Sequence, residues 1–151
     1  MNYSKTQYGK LIISLFAIIS LIGFLSFFFL RQVDEIPPLV IFGFPVIMFL
    51  TGLLFYKLNV SIEKDGVRLK YGIGLISLKF KMDEVESLES IKTPWYYGLG
   101  IRITPKGILY NIQGLKAVRI HYLKDGKSKK VMIGTDEPEE LMKALNSAFG
   151  K

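Results

Sequence analysis

Two patterns of apolar residues divide the chain. Residues 11–30 and 36–55 are continuous apolar runs without a charged side chain, whereas from Leu58 onward apolar and polar residues alternate. Runs of this length rise about 30 Å as helices, the thickness of a bilayer's hydrocarbon core, and predict two transmembrane helices. The first holds five Leu, five Ile and five Phe, each favouring insertion by about 0.3–0.6 kcal/mol near a helix centre. It outruns a signal-peptide core, no small-residue cleavage site follows, and a second run begins at once, so an anchor is expected. The connecting Arg31-Gln32-Val33-Asp34-Glu35 is short enough to require a tight antiparallel hairpin. Lys5 and Lys10 precede the first run, Lys57, Lys64, Arg68 and Lys70 follow the second, and Arg31 alone lies between them. That bias orients both termini to the cytoplasmic side of a multi-pass cell (inner) membrane protein. Pro37 and Pro38 suit a helix start, and Pro45 is expected to bend the second helix. Neither run holds an ionisable side chain, which leaves no proton or ion relay within them.

Strict alternation begins after Tyr56. Leu58, Val60 and Ile62 share one face, and Lys64-Asp65-Gly66 supplies a turn. Val67, Leu69 and Tyr71 follow, then Ile76, Leu78 and Phe80 after Gly72-Ile73-Gly74. Period-two patterns separated by turn residues predict half-buried antiparallel strands. Residues 82–91 fit a helical turn and an irregular strand equally well. Alternation resumes at Leu99, Ile101 and Ile103, then at Ile108, Tyr110 and Ile112, at Val118, Ile120 and Tyr122, and at Val131 and Ile133. About seven strands at this spacing predict an antiparallel β-barrel or sandwich. The chain closes on an amphipathic helix with Asp136 as N-cap, Glu139 in the capping-box position, and Leu141, Leu145, Ala148 and Phe149 on one face. Two units are therefore expected, residues 1–57 with the membrane hairpin and residues 58–151 as a small β-rich domain.

Strand hairpins followed by one C-terminal helix are the layout of a pleckstrin-homology-like (PH-like) barrel. Two segments, Tyr97-Gly98-Leu99-Gly100-Ile101-Arg102 and Ile133-Gly134-Thr135-Asp136-Glu137-Pro138-Glu139-Glu140-Leu141, add detail. By them the chain resembles bacterial two-span inner-membrane proteins that carry a C-terminal PH-like domain. The resemblance implies an α+β PH-like fold behind two membrane spans, and it implies no activity. Leu99 stands where an aromatic is usual in that group, and Trp95, Tyr96 and Tyr97 lie just upstream.

Composition narrows the chemistry. The absence of cysteine excludes disulfides, thiolate metal sites and cysteine nucleophiles. His121 is the only histidine and has no metal-ligand spacing around it. No serine has a partner at the spacing of a nucleophilic site, and Gly72-Ile73-Gly74 lacks the third glycine of a dinucleotide loop. Neither catalysis nor a cofactor nor a metal is expected. The net charge of +7 is spread along the chain without a dense basic run or a reading motif, so nucleic acid is not the expected partner. Two candidate binding features remain. Lys64, Arg68, Lys70, Lys79 and Lys81 fall on one polar face of the first strands, read either as a solvated face or as a surface for anionic lipid headgroups. Trp95, Tyr96 and Tyr97, followed by Arg102, either cap one end of the barrel with their rings buried or form an exposed aromatic loop suited to a protein partner or a headgroup layer. The expected function is a membrane-anchored binding or scaffolding module at the cytoplasmic face; the alternative is an accessory subunit of a membrane enzyme or transporter.

Overall fold

A computed structural model describes residues 3–30 and 37–150. The elements in chain order are β1 (Ser4–Tyr8), α1 (Lys10–Leu30), α2 (Pro38–Phe55), β2 (Lys57–Glu63), β3 (Gly66–Tyr71), β4 (Ile76–Lys81) and β5 (Glu84–Lys92). A 3-10 turn at Trp95–Tyr97 leads to β6 (Gly100–Thr104), β7 (Gly107–Asn111), β8 (Lys116–Lys124), β9 (Lys127–Gly134) and α3 (Pro138–Phe149). The strands form a four-stranded sheet, β1-β2-β3-β4, and a five-stranded sheet, β5-β8-β9-β7-β6. One core lies between them. Leu58, Val60, Val67, Leu69 and Tyr71 enter it from the first sheet, and Ile112, Val118, Ile120 and Ile133 from the second. Leu141, Leu145 and Phe149 of α3 complete it, the helix packing against β5, β8 and β2.

The strand pattern of residues 58–81 needs little beyond its alternation. In β2 Leu58, Val60 and Ile62 point inward between half-exposed neighbours, and Val67 and Leu69 do the same in β3. Most of residues 82–91, which fitted helix and strand equally, lies in β5, which has a bulge between Val85 and Ser87. That bulge keeps Val85 and Leu88 on the inner face three residues apart, while Ile91 turns to the outer cluster. α3 begins one residue after Glu137, which serves as N-cap without a side-chain bond, and Ala148 is exposed. The capping pair of Asp136 and Glu139 does not form its helix start.

β1 lies outside every alternating segment of the sequence. Its inward positions are Lys5 and Gln7, opposite Val60 and Leu58 of β2. Both are polar, and both find partners on the turn before α3. Gln7 donates from Nε2 to the carbonyl of Gly134 at 3.0 Å, and Lys5 Nζ meets Glu137 Oε1 at 2.6 Å. The N-terminal segment thus supplies an edge strand to the sheet of the later domain.

α1 and α2 leave the same end of that sheet as an antiparallel pair. Gly9 N bonds to the carbonyl of Tyr56, and Ile12 is buried in the sandwich core. The Phe55 ring meets Tyr71 edge-on at 5.8 Å. Gly23 faces the Pro45 ring and Gly52 faces Phe16, so close approach falls where side chains are absent. Beyond this base the outer surface is apolar, with Leu21, Ile22, Phe24 and Phe28 all more than half exposed. Among the described residues no helix is long and apolar enough to cross a membrane.

Several expectations are therefore corrected. The transmembrane hairpin and the multi-pass inner-membrane location with cytoplasmic termini are not supported. The proposed turn at residues 31–35 lies outside the described residues. In place of a PH-like barrel of about seven antiparallel strands there are sheets of four and five strands, one pair of which, β7 with β9, is parallel.

Candidate functional site

The two groups of sequence-selected residues fall on different sheets. Arg68 and Lys70 in β3 and Lys79 and Lys81 in β4 point outward from the four-stranded sheet, with Lys64 in the β2–β3 turn. Arg68 lies directly opposite Lys79, and two cations this close need an anion between them. The chain supplies its own. The Glu63 carboxylate accepts from the Arg68 guanidinium through both oxygens and also binds Lys79 Nζ at 3.0 Å. Asp65 takes the same ammonium at 2.8 Å. The Arg68 bond, then the Lys79 bond, holds Glu63 down at about 2. Lys79 lowers Asp65 and is raised in turn, chiefly by Asp65. Two of the five cations are thus already occupied, and no loop converges them on a common point.

The aromatic loop is built differently. β5 and β6 are the opposite edges of the five-stranded sheet, so residues 93–99 must cross β8, β9 and β7. Four strand spacings are about 19 Å, within reach of seven extended residues. Thr93 fixes the start, its N and Oγ1 both donating to the carbonyl of Leu115. The 3-10 turn is closed by Gly98 N on the carbonyl of Trp95, and Gly98 has φ 68°, which favours glycine. Midway, Tyr97 packs on a small cluster of Leu109, Ala117 and Met132 on the outer side of the sheet. With that ring anchored, Trp95 and Tyr96 stand out at 80% and 68% exposure. Their rings meet edge-on at 6.2 Å, and Tyr96 meets Tyr97 at 5.2 Å.

The loop delivers the chain to β6. Arg102 donates from Nε to the carbonyl of Leu99, which brings its guanidinium beside Gly98. Across β6 and β7, Ile101 pairs with Tyr110 and Ile103 with Ile108, so these four share the sheet's inner face. Tyr110 reaches the core, its ring against Phe80 at 5.2 Å. The three isoleucines do not: Ile103 is 89% exposed, and Ile101 and Ile108 are each 39% exposed. The parallel ladder of β7 with β9 covers only Leu109 and Tyr110. The far end of the β6–β7 hairpin therefore extends past its neighbour, uncovered on the inner side.

Ile101, Ile103 and Ile108 carry no mark in the sequence that separates them from core residues. Their alternation is the same as that of Val118 and Ile120, which are fully buried. The one available signal is the absence of acidic residues between Glu89 and Asp125, across the whole β6–β7 hairpin. His121 lies opposite Ser87 and Lys130 on the outer face of the five-stranded sheet. Among the described residues no group of acidic or histidine side chains is arranged to hold a metal ion. A concavity of about 710 Å³ is lined by Glu84, Val85, Glu86, Leu123, Asn146 and Gly150 and converges no nucleophile with a base. No family model, curated protein or solved structure matches the chain, so the resemblance to two-span inner-membrane proteins with a PH-like domain is not sustained.

Proposed function

We propose that this chain is a binding module, without chemistry of its own, that engages a protein partner through the aromatic loop and the β6–β7 hairpin. The observation that carries the reading is Trp95, Tyr96 and Ile103 exposed on a framework that Tyr97 and Thr93 hold in place. Exposed aromatics on an anchored loop that leads to an arginine have the composition of interface centres rather than of ordinary surface. Anionic lipid is the weaker reading for the opposite sheet, because Glu63 and Asp65 already occupy Arg68 and Lys79.

The test is affinity capture with the full chain in mild detergent. A stoichiometric protein partner is expected, lost with Trp95→Ala combined with Ile103→Ser and retained with Lys70→Glu combined with Lys81→Glu. Truncating an interface centre costs about 2 kcal/mol or more of affinity, roughly a thirtyfold loss. Capture that survives the first pair and fails with the second moves the site to the basic face. If the captured protein is itself a membrane enzyme or transporter, the chain is its accessory subunit.

A further inference from the structure

The four sheet edges of this protein are not equally protected. β1 is tied to the turn before α3 through Gln7 and Lys5. β4 presents Lys79 and Lys81, and β5 carries a bulge and lies under α3. Lysines, bulges and covering helices are the devices that stop an edge from accepting a foreign strand. Within its five residues β6 carries no lysine and no bulge, and Pro105 guards only its end. Its side chains alternate instead: Ile101 and Ile103 on one face, Arg102 on the other. Among the described residues Arg102 makes no salt bridge. Lys106 follows in the β6–β7 turn, and the Lys130 side chain lies beside Gly107. No carboxylate occurs in the sequence from β6 through β8 to offset them.

We infer that β6 is a receptor strand, to which an extended segment of the partner adds, its apolar residues opposite Ile101 and Ile103 and its acidic residues opposite Arg102. The inference rests on the protein-binding reading above and specifies the partner's chemistry. Main-chain hydrogen bonds along the edge would supply affinity, and the alternating side chains the selectivity.

The probe is a synthetic peptide of about seven residues alternating valine and glutamate, added to the full chain in mild detergent. Binding is read by isothermal titration calorimetry. The expected result is binding at least tenfold tighter than that of a valine–lysine peptide. Methylation of alternate peptide nitrogens should abolish it, and Arg102→Glu should reverse the charge preference. Because Arg102 is exposed, that variant folds, which circular dichroism checks. Equal affinity for the methylated peptide, or no binding of either charge pattern, overturns strand addition. A chain dimer dissociated by Ile103→Lys would place a second copy on β6 and overturn the acidic-segment assignment. Partner capture lost with Trp95→Ala but unaffected by Arg102→Glu would keep the binding module and reject the receptor strand.

Discussion

The outer face of the four-stranded sheet and the β6 margin of the five-stranded sheet both carry positive charge, and they use it in opposite ways. On the first, Arg68 and Lys79 sit against Glu63 and Asp65 on the same surface, and the charges are spent within the chain. On the second, Arg102 hydrogen-bonds only a carbonyl among the described residues, beside isoleucines that the core does not cover. A count of lysines and arginines favours the first face. The pairing favours the second. A site is marked by groups whose partners are missing, and on the four-stranded face the partners of Arg68 and Lys79 are present.

The largest effect on this contrast should come from a residue that touches neither face. Gly134, at the end of β9, lies against Asn111 at the end of β7; a Cβ there would stand 2.2 Å from Asn111 Oδ1. Asn111 cannot swing away freely. It is buried, its Oδ1 accepts from the backbone of Ile112 and Gln113, and its Nδ2 donates to the carbonyl of Gly114. Gly134→Ala therefore overpacks the junction and strips these bonds, at about 3 kcal/mol. The thermal midpoint should fall by roughly 10 °C, and the β6–β7 hairpin should lose protection from hydrogen exchange before the four-stranded sheet does. Gly43→Ala is the control, since nothing lies within 4 Å of the added methyl. Equal losses in the two variants would remove Asn111 from the account.

A smaller effect is expected where the loop is anchored. Tyr97→Ala removes the ring that covers Leu109, Ala117 and Met132. A half-buried aromatic of this kind contributes about 1–2 kcal/mol. Denaturant unfolding should show that loss, and Trp95 emission should become more mobile by anisotropy although Trp95 is unchanged. Trp95→Ala itself, at an exposed position, should leave stability within about 0.5 kcal/mol. The pair separates a residue that holds the loop from one that the loop presents.

Much of the sandwich is legible in the sequence because its inward residues are apolar at every second position, as in Leu58, Val60 and Ile62. The parts that are not legible break that correspondence for identifiable reasons. β1 turns Lys5 and Gln7 inward, since their partners are a carboxylate and a carbonyl 127 or more residues away. β5 loses its period at a bulge. The parallel pairing of β7 and β9 arises because residues 112–115 carry the chain from β7 past one position to β8, and β9 returns into the gap; alternation does not encode that skip. For the site the difficulty is reversed: Ile101 and Ile103 keep the pattern of buried residues and are exposed because no opposing element reaches them. Periodicity specifies a face; tertiary packing decides whether that face is covered.

The finest test of the contrast is the titration of Glu63. Its folded value, about 2, lies below the ordinary 4.5 because Arg68 and then Lys79 bond to the carboxylate. A lowered folded value means that the pairing stabilises the fold above the ordinary range and that this contribution is lost as pH falls from about 4.5 through about 2. The side chains are exposed, so the change in stability should be slight. The charge on the face should change more visibly. Carbon-detected NMR should place the Glu63 midpoint near 2 and, in Arg68→Ala, move it toward 4.5. At neutral pH, Glu63→Gln should free Arg68 and Lys79 and raise retention on anionic liposomes, while the peptide preference at β6 stays as it was. A midpoint already at the ordinary value would mean that these cations are unoccupied, and the four-stranded face would then compete with β6 on equal terms.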